Sequence, residues 1–175
     1  VKDTGANSIL LVGNPNVGKS VIFAFLTGRY AVVSNYPGTT VEVSSGWFGH
    51  DRSREVIDTP GVDSLIPRSE DERVTRDILL RYPEATVVQV ADAKNLFRAL
   101  VLTSQLAEMD RRVILVLNMM DEARQRGLGI DAGRLSGELG IDVIETVAVE
   151  KRGLSRLERL LGERREARPA IDVEY

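Results

Sequence analysis

Residues 13–20 read GNPNVGKS and directly follow the apolar run at residues 9–12. This order is typical of a strand that feeds a glycine-rich turn at the start of a helix, whose backbone N–H groups bind phosphate. The Lys19 ammonium can reach β- and γ-phosphates, and the Ser20 hydroxyl can bind Mg²⁺. The pattern therefore predicts a nucleoside triphosphate site. Its predicted nucleotide contacts are Gly13, Asn14, Pro15, Asn16, Val17, Gly18, Lys19, Ser20 and Val21.

A second motif, DTPG at residues 58–61, follows another short apolar run. The Asp58 carboxylate can hold a water molecule in the shell of Mg²⁺. The Gly61 N–H can donate to a γ-phosphate, because glycine lets the backbone approach a ligand closely. The same four residues also form a common turn. They therefore indicate a nucleotide site only because a phosphate-binding loop precedes them in the chain.

A third motif, NMMD at residues 118–121, follows a strongly apolar run. The Asp121 carboxylate can accept two hydrogen bonds from the N1–H and N2–H₂ groups of guanine, a donor pair that adenine lacks. Asn118 can brace the loop and reach the base. The alternative interpretation is a helix that begins with an acidic first turn. Together with the two upstream motifs, Asp121 favours GTP over ATP as the ligand.

Short apolar runs alternate with amphipathic stretches along the chain, which predicts the elements that position these motifs. Predicted strands cover residues 8–12, 40–48, 55–57, 86–90, 113–117 and 143–147. Predicted helices cover residues 19–26, 70–80, 95–109, 121–126, 132–139 and 154–161. The pattern indicates an α/β fold with a mostly parallel six-stranded sheet, one antiparallel strand and helices on both faces. All three motifs, and the loop after the last strand, fall at carboxyl ends of strands, where such folds bind ligands.

Composition narrows the possible functions. The 175 residues are enough for one domain with a real core. The formal net charge of −3 gives no basic field for nucleic acid. With no cysteine, the chain has no disulfide or thiolate metal site, and its one histidine, His50, lies in a predicted hairpin turn. No apolar run approaches the ~20 residues that span a bilayer, so these residues are expected to be soluble.

The chain resembles the amino-terminal G domain of the ferrous iron transport protein B family. The resemblance is carried by residues 13–20, 35–42 (NYPGTTVE), 58–61, 69–73 (SEDER) and 118–123 (NMMDEA). It implies a Ras-like P-loop GTPase fold that hydrolyses GTP to GDP, and so regulates or drives Fe²⁺ uptake. It also implies a G domain over residues 1–168, with residues 169–175 beginning a linker to helical and membrane regions. The whole protein would then lie at the cytoplasmic face of the inner membrane.

The resemblance also assigns roles within the loops. From the residues alone, either Thr39 or Thr40 can complete the Mg²⁺ shell when a γ-phosphate is bound; the resemblance favours Thr40. Asn16 matches the family position that holds K⁺ beside the phosphates, which implies potassium-stimulated turnover. Val62 stands where many small GTPases carry a water-orienting glutamine, so intrinsic turnover should be slow. The implied catalytic residues are Lys19, Asn16, Thr40 and Gly61.

Two positions depart from common patterns. Met119 follows Asn118 where most small GTPases have lysine, and its soft side chain can lie over the base. Val147 replaces the serine that usually precedes Ala148, whose N–H is expected to contact the guanine oxygen. Without the serine hydroxyl, we expect a looser loop and faster GDP release than in relatives that carry it.

Two other functions stay open from the residues: a soluble ribosome-assembly or tRNA-modifying GTPase, and a nucleotide-binding regulatory module with negligible turnover. The expected partners are a guanine nucleotide and the helical and transmembrane domains of the same longer chain. Homo-oligomers are left open. No nucleic acid partner is expected, and no direct iron binding, because no cluster of iron ligands is visible in the sequence.

Overall fold

The computed structural model describes residues 8–28, 31–49 and 52–163. The described chain alternates strands and helices in the order expected for an α/β fold. The strands are β1 Ile9–Gly13, β2 Ala31–Asn35, β3 Glu42–Phe48, β4 Arg54–Asp58, β5 Thr86–Asp92, β6 Val113–Asn118 and β7 Asp142–Glu145. The helices are α1 Lys19–Thr27, α2 Glu70–Arg81, α3 Leu96–Ala107, α4 Met120–Gln125, α5 Ala132–Leu139 and α6 Leu154–Gly162, and a 3₁₀ turn at Ala93–Asn95 precedes α3.

The strands form one sheet in the order β2-β3-β4-β1-β5-β6-β7. Strands β4, β1, β5, β6 and β7 pair in parallel, whereas β3 pairs antiparallel with both of its neighbours. The predicted fold class, with β3 as the one reversed strand, is therefore confirmed. The prediction of six strands was wrong: the described residues form seven. The missed strand, β2, lies at the sheet edge with all five residues exposed, and its short apolar run at residues 31–33 lacks the alternation that marks a half-buried strand.

Alternate side chains of the central strands face opposite layers of helices. Ile9 and Leu11 pack with apolar residues of α1 and α6 on one face. Leu10 and Val12 pack with residues of α2 and α3 on the other. Strands β1, β5 and β6 are buried on both sides, which explains why they are largely apolar; the buried Gln89 of β5 is an exception, and its side chain donates to the Ala99 carbonyl oxygen (2.8 Å). This two-sided burial fixes the carboxyl edge of the sheet, where the motif loops begin.

Element ends differ from the prediction by a few residues. Strand β3 begins at Glu42 rather than residue 40, because the Tyr36 N–H donates to the Val41 carbonyl (2.8 Å) and closes a turn there. Strand β7 ends at Glu145 rather than residue 147, since Val147 instead bridges to Arg152. The β3–β4 hairpin forms as predicted. His50, predicted from sequence to lie in the hairpin turn, and the predicted domain boundary at residues 168–169 are outside the described residues. Over the described part of the chain, no helix is both long and apolar enough to cross a membrane.

Candidate functional site

Four loops meet at the carboxyl edge of the sheet, after β1, β4, β6 and β7, and together with the start of α2 they enclose a cavity of about 670 Å³. The predicted site residues that line it are Asn14, Pro15, Asn16, Val17, Gly18, Lys19, Ser20, Val21, Gly61, Asn118, Met119, Asp121, Val147 and Ala148. The remaining predicted residues, Gly13, Asp58 and Thr40, do not line it, although Asp58 accepts a hydrogen bond from the lining residue Lys19. The structure thus brings the three motifs to one site.

Glycines make the phosphate-binding loop possible. A Cβ atom on Gly13 would lie 2.3 Å from the Val90 carbonyl oxygen, because β1 and β5 pair at that point. Gly18 precedes α1 in the left-handed conformation (φ 87°), which glycine adopts without strain. The loop therefore exposes its backbone and the amino end of α1 toward the cavity, the arrangement that binds anions.

The Lys19 side chain lines the cavity, and its ammonium is hydrogen-bonded to the segment after β4. It donates to the Asp58 carboxylate and to the Thr59 carbonyl oxygen. Thr59 is itself buried, and its hydroxyl donates to the Leu11 carbonyl oxygen (2.8 Å). The ends of β1 and β4 are thereby fixed relative to one another, with a cation and a carboxylate side by side. This pair can serve a bound phosphate and a divalent cation in the way the motifs predict.

The segment after β4 is anchored to the phosphate-binding loop. The Asn14 side-chain amide donates to the Val62 carbonyl oxygen (3.2 Å) and to the Asp63 carboxylate (3.0 Å). Gly61 approaches Pro15 so closely that a Cβ atom would lie 3.0 Å from the Pro15 Cα. The Val62 side chain is buried in the core beneath α2, so it cannot orient a water molecule in the cavity.

Arg98 of α3 pairs with Asp63, and this pair gives a pH prediction. The hydrogen bond from the Arg98 guanidinium (2.7 Å) holds the pKa of the Asp63 carboxyl below its ordinary value. Because the folded-state pKa is the lower one, the pair stabilises the fold above about pH 4, and this contribution is lost as the pH falls through the folded-state pKa. Both side chains are half exposed, so we expect a contribution below about 1 kcal/mol.

A carboxyl NMR titration checks this prediction. In Arg98→Met, the pKa of Asp63 should rise toward its ordinary value. The control is Arg73→Met, which removes an exposed pair with Glu70 on α2 (3.3 Å) and should leave Asp63 unchanged. An unaltered Asp63 titration in Arg98→Met would contradict the assignment.

Thr40 is not part of the cavity. It is exposed in the loop between β2 and β3, and it does not line the site. Its neighbour Thr39 shapes that loop: the Thr39 hydroxyl donates to the Tyr36 carbonyl oxygen (2.9 Å) and accepts from the Val41 N–H (3.1 Å). Tyr36 in turn lies beneath the Arg81 guanidinium, 5.6 Å from the ring centroid. A role for Thr40 at the cavity therefore requires this loop to move.

Asn118 connects the phosphate side of the cavity to the opposite side. Its buried side chain donates from Nδ2 to the Val17 carbonyl oxygen (3.0 Å). Its Oδ1 accepts from the Thr146 hydroxyl (3.1 Å) and from the Ala148 N–H (2.9 Å). One amide thus joins three loops. The Ala148 N–H, expected from sequence to be available to the base, is engaged by Asn118, so a base oxygen must share or replace that bond.

Asp121 lies in the first turn of α4, on the segment after β6, and lines the cavity. Met119 precedes the helix in a left-handed conformation (φ 61°). Val147 has a buried side chain, and its backbone makes two hydrogen bonds with Arg152 (3.1 and 3.2 Å). These backbone hydrogen bonds hold the loop in place although the serine hydroxyl is missing. Faster release of GDP from this loop stays a prediction.

Sequence reasoning missed three lining residues, Asp71, Glu122 and Val149. Glu122 could have been found, because it follows Asp121 in the same helical turn. Asp71 could not, because it reaches the cavity through the docking of α2, which no local pattern encodes. Val149 could not be found either. It follows Ala148 and is largely exposed, so it belongs to no apolar pattern of a buried strand or helix.

Comparisons with known proteins agree with this geometry. The family model described as ferrous iron transport protein B matches residues 7–161. The Fe(2+) transporter FeoB of Campylobacter jejuni is 40% identical over 150 residues, covering 85% of this chain. The chain spans only 24% of that relative's length.

Two solved structures show the same fold. An S. thermophilus NFeoB mutant bound to GDP is similar with a TM-score of 0.84 and 38% identity, over 90% of this chain and 60% of that one. The cytosolic domain of L. pneumophila FeoB is similar with a TM-score of 0.81 and 40% identity, over 88% of this chain and 66% of that one.

Proposed function

The chain belongs to the ferrous iron transport protein B family, and on this premise we propose that it is the GTP-hydrolysing switch domain of a ferrous iron transporter. One observation carries the proposal: Lys19 and Asp121 line one cavity whose phosphate and base sides are joined through Asn118. A GDP-bound relative of the same fold supports a guanine nucleotide as the ligand. In the longer protein, hydrolysis would regulate or drive Fe²⁺ uptake at the cytoplasmic face of the membrane.

The residues present fit Mg²⁺ and K⁺. Ser20 is exposed, lines the cavity and lies at the start of α1, so its hydroxyl can bind Mg²⁺ directly. Asp58 lies beside Lys19, and its carboxylate can hold Mg²⁺ through a water molecule. Asn16 is exposed at the rim of the cavity, in a left-handed conformation that turns the loop there, and its amide oxygen suits K⁺. When bound, the two cations neutralise charge that develops on the transferring phosphoryl group.

The chain's own groups would position the substrate. Lys19 exchanges part of its bonding to Asp58 for phosphate oxygens, and the amino end of α1 donates backbone N–H groups. Gly61 donates from the loop that Asn14 holds in place. Thr40 enters the site only after its loop moves, so the bound γ-phosphate would be sensed by that movement. Since Val62 is buried, no side chain at that position orients water, and intrinsic turnover is slow.

GTP turnover in potassium and in sodium, at matched ionic strength, tests this function. We expect turnover to be stimulated by potassium specifically, and the stimulation to be lost in Asn16→Ala. The affinity of that variant for GDP serves as the control, since a change limited to turnover separates the cation site from general loop damage. Equal and very low turnover in both salts would contradict the catalytic assignment and favour a regulatory nucleotide-binding module, which the buried Val62 also permits.

A further inference from the structure

A largely buried lysine outside the motifs contacts two of the residues that line the cavity, Met119 and Glu122, without lining the cavity itself. Lys94 lies in the 3₁₀ turn after β5, and only 8% of its side chain is exposed. Its ammonium donates to the Glu122 carboxylate (2.8 Å), to the Asp92 carboxylate (3.0 Å) and to the Met119 sulfur (3.3 Å). We call Lys94 and these three partners the Lys94 cluster. No motif in the sequence marks Lys94 itself.

The Lys94 cluster is arranged to hold a charged lysine. Burial disfavours the ammonium, but hydrogen bonds to Glu122 and Asp92 outweigh it and hold the pKa of Lys94 above its ordinary value. Asp92 also accepts from the Lys94 backbone N–H (2.9 Å) and from the Asn95 side chain (3.0 Å), which fixes the turn. A lysine side chain is seldom this little exposed unless its charge is paired, and the two carboxylates supply that pairing here.

Two of the contacts of Lys94 lie on either side of Asp121 in the sequence. Met119 lies two positions before Asp121 and Glu122 lies one position after it. Met119 is held in a left-handed conformation and forms the boundary of α4, and Glu122 lies in the first turn of that helix. A single buried ammonium therefore ties both ends of the segment that carries the Asp121 carboxylate. Small shifts of such a segment alter hydrogen-bond geometry at a ligand strongly.

We propose that Lys94 is a positioning residue for base specificity: it fixes the segment from Met119 to Glu122 so that the Asp121 carboxylate meets the 2-amino edge of guanine. This inference rests on the proposed function, because it presumes that Asp121 reads the base. Lys94 does not line the cavity, so it would act through Met119 and Glu122. Its removal leaves the phosphate-binding loop and Asn118 intact, so the effect is confined to base discrimination.

The test compares the dissociation constants of GDP and IDP, whose hypoxanthine base lacks the 2-amino group. In Lys94→Met, we expect the preference for GDP over IDP to fall about tenfold, because GDP loses both of its hydrogen bonds to Asp121 whereas IDP has only the N1–H bond to lose. Lys94→Arg should retain most of the preference, and Glu122→Gln should show a smaller loss. The matched control is Arg124→Met, which removes an exposed pair between α4 and Glu145 (2.6 Å) and should leave the preference intact.

Each outcome decides the matter. A preference that is unchanged in Lys94→Met overturns the positioning role, even if the variant is less stable. Equal losses of GDP and IDP affinity do the same, because a purely structural role weakens both ligands alike. If the wild-type protein shows no preference for GDP over IDP, guanine recognition by Asp121 fails, and this inference fails with it. A selective loss of GDP affinity that Lys94→Arg restores supports the proposal.

Discussion

Replacing Asp121 by asparagine is expected to change the base preference of the protein from guanine to xanthine nucleotides. In the proposed complex the carboxylate accepts from the N1–H and N2–H₂ groups of guanine. An asparagine side chain presents one oxygen and one NH₂ group, so it opposes the guanine 2-amino group with a donor. Xanthine carries a carbonyl oxygen at that position and accepts the new donor. The substitution therefore reverses the pairing without changing the size of the side chain.

The size of the expected loss in GDP affinity follows from the polar groups that the substitution leaves unpaired. One unpaired buried donor costs about 1–3 kcal/mol, and more where a charged partner is lost. We therefore expect GDP affinity to fall about 100-fold or more in Asp121→Asn, while affinity for xanthosine diphosphate rises. Competition binding with GDP and xanthosine diphosphate on the same protein measures both changes.

The control for this exchange is Asp77→Asn. Asp77 is exposed on α2 and does not line the cavity, so the same chemical change there should leave both affinities as they are. Guanine selectivity that persists undiminished in Asp121→Asn would contradict the base assignment, whatever the variant's stability. Weak binding of every nucleotide would instead place Asp121 in a structural role at the start of α4.

The site was predictable where it depends on strand ends. Buried parallel strands are largely apolar, so the positions of Lys19, Asp58 and Asp121 at the carboxyl edge follow from the sequence. Edge strand β2 was not predictable, because an exposed strand has no buried face to mark it.

Contacts between distant segments were also hidden in the sequence. Lys94 and Glu122 meet only because β5 and β6 lie side by side, and the Ala148 N–H is engaged because β7 ends beside Asn118. Thr40 illustrates the reverse case. Its type and place in the chain suit a metal ligand, yet it is exposed and does not line the cavity, and the hydrogen bonds of its neighbour Thr39 stay within the loop.

Replacing Gly18 by alanine is expected to damage nucleotide binding and stability together. Gly18 combines a positive φ of 87° with a tight contact, because its Cβ would lie 2.3 Å from Asn118 Nδ2. The strained backbone and the displaced amide together should lower the free energy of unfolding by about 3 kcal/mol. GDP affinity should fall at least about 100-fold, since Asn118 joins the phosphate-binding loop to both base-side loops.

A matched glycine separates strain from collision. Gly127 also has a positive φ (72°), but a Cβ atom there would meet nothing within 4 Å. Gly127→Ala should therefore cost only the backbone strain, about 1 kcal/mol, and leave GDP affinity unchanged. Denaturant unfolding and GDP titration of the two variants make the comparison. Equal effects of the two substitutions would show that the Gly18–Asn118 contact is unimportant.

A double-mutant cycle then locates the collision in one side chain. Asn118→Ala alone should destabilise the protein, because it leaves the Val17 carbonyl and the Ala148 N–H without their buried partner. In that background the Cβ of Gly18→Ala has no amide to displace, so its cost should shrink to that of Gly127→Ala. The expected coupling is about 2 kcal/mol. Simple additivity would mean that the two loops are not joined through Asn118, and it would remove the observation on which a single continuous nucleotide site depends.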